Sequence, residues 1–426
     1  MNQGLEAIRD RFPLLGEVAW LASAGVGPMP GEALAAVAGH QRRLRGELDP
    51  AAWEKDPAED CRGLLARLLG VETDEVALVR STSEGLNAIA CALPWEPGDN
   101  VVIADQEYPA NAIPWYHQAK RWGVEVRTVR SRNGRLPLDA FAAAIDARTR
   151  AVAVSHVQFA SGFRADLAGL SELAHSRGAL LVVDGIQAVG ALRVSPRELG
   201  VDALACGGYK WLCGPLGTGF LYVRRELAES LVPAPLGYQG ISPDEHAELW
   251  DALCGGGEWV RDYRALAPGA RRFDGVGLNP ALFAGFKVVL KLFLELGLSW
   301  IESRVLGLSS RLIRELVAQG YRVVTPGEEG ERAGIVLFRG PWDLGTEERR
   351  RRLERELLSR GFKVSVRGGR DQGLLPLLQH RGRAARPPFG PGRVGLKAAG
   401  PGARPPGVQR KIRLFWGRRL RAHSRQ

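Results

Sequence analysis

Two side chains of opposite charge stand just past two short apolar runs. The first run, Ala179–Val183, is unbroken and leads into Asp184, with Gly185 and Gln187 behind it. The second, Asp202–Cys206, leads into Gly207, Gly208, Tyr209 and Lys210. A glycine-rich turn, Gly214–Gly219, then opens a third run, Gly219–Val223. Short continuous apolar runs read as strands buried on both faces. Charges at strand ends lie where open α/β sheets form ligand crevices. A carboxylate held dry beside a pyridine ring keeps the ring nitrogen protonated and makes the ring an electron sink. An amine on the neighbouring turn can hold an aldehyde as a Schiff base. Pyridoxal 5′-phosphate (PLP) needs both groups. An acid after a strand also occurs in ATPases and dinucleotide-binding folds, and a lysine after two glycines can be a plain turn residue. However, no GxxxxGK[ST] occurs in the chain, and no GxGxxG follows its first strands.

Further candidates sit at other expected strand ends. Val76–Arg80 reads as a strand, and Ser81–Thr82–Ser83–Glu84–Gly85 opens a helix. Hydroxyls and unpaired N–H groups at a helix start make either an anion site or a simple N-cap. Tyr108 follows strand Asn100–Ala104, and His156 ends strand Arg150–His156. The tyrosine is a cleft ring or a surface aromatic, and the histidine lines the site or packs at the strand end. Arg164 is a structural ion-pair partner or a substrate contact.

Asp184, Gln187, Lys210 and the turn after them together resemble the core motif of the class V aminotransferase-fold PLP enzymes. That superfamily includes cysteine desulfurases, kynureninase and isopenicillin N epimerase-like proteins, and the resemblance runs from about Phe12 to Gly369. It implies that Lys210 carries the cofactor and moves the Cα proton, that Asp184 holds the pyridinium proton and that Gln187 donates to the ring O3′. It implies further that Tyr108 stacks on the ring, where desulfurases place a histidine, and that Thr82, Ser83 and Tyr209 hold the phosphate. His156 joins this cofactor-binding set. Phe159, where desulfurases carry an asparagine, and Ser161–Gly162 look more like the kynureninase and epimerase side, as does Tyr209 before the lysine. The family implies a homodimer. The segment ARRFDGVGLNP resembles the one that reaches the partner's phosphate, but Gly277 stands where a threonine is usual, so that contact is not expected here.

Composition agrees with a folded enzyme: 426 residues, 45% hydrophobic and 25% charged. No run approaches the length of a membrane span, and the N-terminus, with Glu6, Arg9, Asp10 and Arg11, lacks the apolar core of a signal peptide. Five cysteines without CxxC spacing point to reduced thiols, no metal site and a cytoplasmic protein. The net charge of +11 is concentrated at the end of the chain: residues 371–426 hold 13 Lys and Arg against one acid, so the other 370 residues sum to −1. The body is neutral, and nucleic acid is not an expected partner.

The expected fold is α/β: a large PLP domain with a mostly parallel seven-stranded sheet between helices, then a small α+β domain. Strand–helix alternation runs from Val76 to Val223, with Val124–Arg130 among the strands, and the family places its one antiparallel strand at Gly219–Val223. The expected divisions are an N-terminal arm (1–20), the large domain (21–280), the small domain (281–370) and an irregular basic tail (371–426). Residues 1–15 read as a helix, Val18–Leu21 as a strand and 224–280 as irregular. Helices are expected at Pro280–Leu296, Ser303–Gln319 and Thr346–Arg360, and strands at Tyr321–Thr325, Ile335–Arg339 and Lys363–Arg367.

Family members continue with a carboxylate-binding arginine, a short strand and an acidic helix. This chain reads DQGLLPLLQHRGRAARPPFG instead, without helical or strand period. That stretch is a disordered basic arm, a nucleic-acid-binding tail or an out-of-frame translation. Asp-Gln-Gly-Leu-Leu is what codons for Ile-Arg-Val-Ser give when read one base early, so the frameshift is the expectation, with the lost arginine at Gln372. The expected function is a PLP-dependent transformation of an amino acid, by transamination or epimerisation. The rivals are a lyase or hydrolase of the kynureninase or desulfurase type and a degenerate, non-catalytic PLP fold. Desulfuration requires a nucleophilic cysteine well beyond the lysine, and no cysteine follows Cys254.

Overall fold

Six of the seven strands of the central sheet are buried on both faces, and the edge strand Glu125–Val129 is the partly exposed one. In β2 (Val76–Val79), Val76 and Leu78 join one hydrophobic cluster while Ala77 and Val79 join the other. The same two-residue alternation assigns Val152 and Val154 to one face and Ala151 and Ala153 to the other. The computed structural model describes residues 2–43, 56–258, 262–340 and 346–366, and the backbone of a strand at 373–376.

After a two-residue β1 (Ala19–Trp20) and β2 come β3 (Asn100–Ala104), β4 (Glu125–Val129), β5 (Thr149–Ser155), β6 (Leu180–Asp184), β7 (Ala203–Gly207) and β8 (Gly219–Val223). Seven of these form one sheet in the order β2-β8-β7-β6-β5-β3-β4. Only β8 runs against its neighbours, pairing antiparallel with β7 and β2, as expected. All the other pairs are parallel, so the carboxyl ends of β3, β5, β6 and β7 share one edge of the sheet.

Helices α1 (Asn2–Asp10), α2 (Leu14–Glu17) and α3 (Gly31–Arg43) precede the first sheet helix, α7 (Leu138–Ala144) stands between β4 and β5, and helices cover both faces of the sheet. One face carries α5 (Thr82–Ala92) through Leu86 and Ile89, and α6 (Pro109–Trp122) through Trp115. The other carries α4 (Pro57–Leu69), α8 (Leu167–His175) and the long α11 (Pro280–Leu296), with Phe283 and Phe286 fully buried. Gly85 is where α5 meets β7: a Cβ there would lie 2.8 Å from that of Ala205.

Beyond α11, α12 (Leu298–Ala318), β9 (Arg322–Val323), β10 (Ile335–Arg339), α13 (Glu347–Ser359) and β11 (Phe362–Lys363) build the small α+β layer. The N-terminal segment is joined to it, because β1 pairs in parallel with β11 through Ala19 to Phe362 and Trp20 to Lys363. Among the described residues no helix is long and apolar enough to cross a membrane.

Three expectations change. The 224–280 segment is not irregular throughout: it contains α9 (Arg225–Ser230) and α10 (Pro243–Gly255). The latter has a Ser242 cap whose side chain accepts from Glu245 N, Pro243 in its first turn and a left-handed Gly256 at its end. The tail is not free of strand structure either. Residues Gly373–Pro376 form β12, antiparallel to β10 with Ile335 opposite Pro376 and Phe338 opposite Gly373. Third, the helix expected from Ser303 begins at Leu298, directly after Gly297. The strand expected at Lys363–Arg367 is the two-residue β11 (Phe362–Lys363), and Arg367, Gln372 and the rest of the tail lie outside the described residues.

Candidate active site

The shared carboxyl edge gathers the charged residues singled out above. Asp184 is the last residue of β6 and is 2% exposed; its Oδ1 accepts from Ile186 N at 3.0 Å. One strand over, β7 ends at Gly207, and the turn that follows presents Tyr209 and Lys210. Lys210 is 7% exposed, and its Nζ lies 5.3 Å from the Tyr108 ring centroid and 5.9 Å from that of Tyr209. Phe159 meets Tyr108 edge-on with centroids 5.1 Å apart.

Glycines let the backbone close around this lysine. Gly208 packs against Phe286 and Thr218, where a Cβ would be 2.7 Å from both. Gly27, in the loop between β1 and the next helix, donates its N–H to Tyr209 O at 2.8 Å, and a Cβ there would stand 2.0 Å from Lys210 O. Gly27→Ala is therefore expected to cost about 1–3 kcal/mol by forcing loop and lysine turn apart. A urea unfolding midpoint equal to that of the wild type would contradict it.

The remaining candidates divide by their partners. Gln187 is buried, its Nε2 donating to Ala24 O at 3.0 Å and its Oε1 accepting from Trp211 Nε1 at 2.9 Å. An amide nitrogen carries two hydrogens, so one remains for a ligand oxygen. Thr82 is buried at the start of α5, and its Oγ1 accepts from Gly207 N at 2.9 Å, which ties the helix start to the lysine turn. Ser83 is exposed beside it, and Ser81 is the cap, accepting from Glu84 N. His156 donates its backbone N–H to Asp184 O, and its buried Nδ1 has no hydrogen-bond partner. Arg164 instead lies 3.7 Å from Glu302, an ion pair.

Burial sets the electrostatics. It pushes the Asp184 carboxyl up to about 6, against the Ile186 N–H and the charge of Lys210. Burial, aided by Arg164, drives His156 down to about 3, so its imidazole is neutral at ordinary pH. Burial also raises the Tyr209 hydroxyl, the Cys206 thiol and, to about 12, the Cys213 thiol. These cysteines near the lysine are thiols rather than thiolates.

Sequence reasoning missed three participants: Trp211, which orients Gln187; the Ala24 carbonyl; and Glu107, whose carboxylate accepts from Ser155, Gln158 and Asn111. An acid directly before Tyr108 was the available signal for the last.

The arrangement fits a phosphorylated pyridine aldehyde. A dry carboxylate waits for a cationic ring nitrogen, an amine faces an aromatic ring, and a helix start carries two hydroxyls for a phosphate. The orphaned His156 Nδ1 marks a polar position in the same floor.

Residues 44–370 match the family described as Aminotransferase class-V. A probable cysteine desulfurase of Methanothermobacter thermautotrophicus is 31% identical over 238 residues, or 54% of this chain. The chain spans only 59% of that relative's length. The isopenicillin N epimerase of Streptomyces clavuligerus is 31% identical over 360 residues, covering 82% of this chain and 87% of the epimerase. Among solved structures, a C-DES mutant with glycine covalently linked to its PLP cofactor superposes with a TM-score of 0.76 at 22% identity. The match covers 86% of this chain and 94% of that one, a likeness of fold.

Proposed function

Since the chain belongs to the aminotransferase class-V family, we propose that it is a PLP-dependent enzyme that acts on an amino acid by transamination or epimerisation. The observation that carries this reading is the pair Asp184 and Lys210 on adjacent strand ends, both buried, with an aromatic ring 5.3 Å from the amine. Its cofactor is PLP, which when bound supplies an electron sink for the bonds at the substrate Cα.

The chain's own residues do the rest. Lys210 Nζ is the amine that would hold the aldehyde and that would serve as general acid and base for the Cα proton. Asp184 would keep a proton on the ring nitrogen, because in a site without competing water the attraction between carboxylate and ring cation is strong. Tyr108 would provide the stacking ring, and Gln187 has one amide hydrogen left that it would offer to O3′. Thr82, Ser83 and Tyr209 would hold the phosphate, together with the N–H groups opening α5. The neutral His156 forms the floor beside Asp184.

Two observations favour transamination or epimerisation over desulfuration. The epimerase aligns over 87% of its length, the probable desulfurase over 59% of its own. No cysteine follows Cys254, and Cys206 and Cys213 are buried thiols. We place the enzyme in the cytoplasm as a homodimer, in keeping with five free cysteines and with the family.

Purified protein is expected to absorb in the visible, and borohydride should fix the cofactor to the one peptide containing Lys210. Label on another lysine, or folded protein that takes up no PLP, overturns the assignment.

A further inference from the structure

Glu107 belongs to the turn between β3 and α6, and its carboxylate accepts four hydrogen bonds. Its Oε1 accepts from Ser155 N at 2.9 Å and Gln158 Nε2 at 2.6 Å; its Oε2 accepts from Ser155 Oγ at 2.5 Å and Asn111 Nδ2 at 2.8 Å. The position explains the Ser155 contact. The β3–β5 ladder ends at Ile103 opposite Ala153, while Ser155 still pairs with Asp184 of β6 on its other side. Where β3 turns away, the Glu107 carboxylate takes the N–H that the ladder leaves behind.

The consequence falls on both neighbours. Tyr108, next in the chain, is the N-cap residue of α6 but makes no side-chain cap bond. His156, next after Ser155, lies under the site with its backbone N–H on Asp184 O. We propose that Glu107 is a positioning residue: its carboxylate clamps the β3–α6 turn to the end of β5 and thereby fixes the Tyr108 ring and the His156 imidazole around the cofactor. The inference rests on the PLP reading above and adds a residue to it.

The chemistry requires a carboxylate. Two ionised oxygens offer about four lone-pair sites, which matches the four donors. Burial opposes that charge and pushes the group up to about 7, and the donors from Ser155, Asn111 and Gln158 pull the other way. A glutamine of the same shape sets an NH₂ against two of the donors. The Ser155 hydroxyl can turn to accept from it. Asn111 can do so only by flipping its amide, and its Oδ1 already accepts from Trp115 Nε1 at 3.3 Å.

The test uses the full-length holoenzyme and reads the cofactor dissociation constant and the visible circular dichroism of bound PLP. Glu107→Gln is expected to raise the dissociation constant about tenfold, as one mismatched bond to a charged group would, and to change the dichroic band. Tyr108→Ala should change the same band. The double variant should be far from the sum of the two, because both act through one ring. If Glu107→Gln does not fold, Ser155→Ala removes one donor and leaves the charge, with a smaller shift in the same direction. A wild-type holoenzyme whose variants match it in affinity and dichroism, or whose two effects simply add, overturns this inference alone. Wild-type protein without cofactor at Lys210 overturns the PLP reading and this inference with it.

Discussion

Turnover in Asp184→Asn is expected to fall by about 10²–10⁴-fold while the cofactor stays attached to Lys210, the range seen when one preorganised electrostatic contact is removed. Asparagine keeps the shape and the acceptor for Ile186 N, but it has no charge to hold a proton on the ring nitrogen. Affinity for substrate should change far less, because the charge matters where negative charge develops at Cα rather than where the substrate docks. Steady-state kinetics with a responsive amino acid decides it, and turnover near the wild-type value would remove Asp184 from the mechanism. The cofactor-free protein offers an independent readout. Burial raises the folded-state carboxyl to about 6, above its ordinary value. The folded state therefore binds more protons than the unfolded chain between about pH 4 and 6, and this group's contribution to stability falls as pH rises through that window. Asp184→Asn abolishes that contribution, so urea unfolding of the apoprotein should show the variant gaining on the wild type from pH 4 to pH 7. An unchanged difference across that range would mean that the carboxyl does not titrate as described.

The parts of this site that were legible in the sequence share a local signature. Asp184 and Lys210 end short apolar runs, and a strand buried on both faces announces itself without help from distant residues. The same holds for Ser81 and Thr82 after Val76–Val79. Glu107 was not legible because its partners Ser155 and Gln158 stand 48 and 51 residues away and come together only when β3 and β5 pair. Trp211 was missed for the same reason: its bond to Gln187 spans 24 residues, with strand β7 between them. The helix at Pro243–Gly255 is a different kind of miss. Its cap, proline, acidic first turn and terminal glycine were all present, but the surrounding Gly, Pro and Trp residues hid the 13-residue helix. Strand Gly373–Pro376 has no period of its own, and what defines it is the edge of β10 beside it.

Breaking the ion pair between Arg62 and Asp274 is expected to cost about 3–5 kcal/mol, the cost of leaving one charge buried without its partner. The two side chains are each 6% exposed, with Arg62 Nη2 2.7 Å from Asp274 Oδ2. Asp274 Oδ1 also accepts from Leu78 N at 2.9 Å, and Arg62 Nη1 donates to Val76 O at 2.5 Å. The pair thus pins α4 to Val76 and Leu78 of β2 and to the segment leading into α11. Burial works against the guanidinium charge, but Asp274 and Glu59 more than offset it and hold Arg62 above its ordinary value. Asp274→Ala leaves Arg62 with the half-exposed Glu59 as its acidic partner and strips Leu78 N of its acceptor, so its unfolding midpoint in urea should drop sharply. Arg62→Met with Asp274→Leu should recover much of the loss, because two apolar side chains of similar volume leave no orphaned charge. Strand β2 leads directly to Ser81 and Thr82, so the single variant should also release PLP more readily, and the double variant should retain it better. A single variant within about 1 kcal/mol of wild type, the scale of a surface pair, would show that water already reaches this pair and that the helix start carrying Thr82 is held by other contacts.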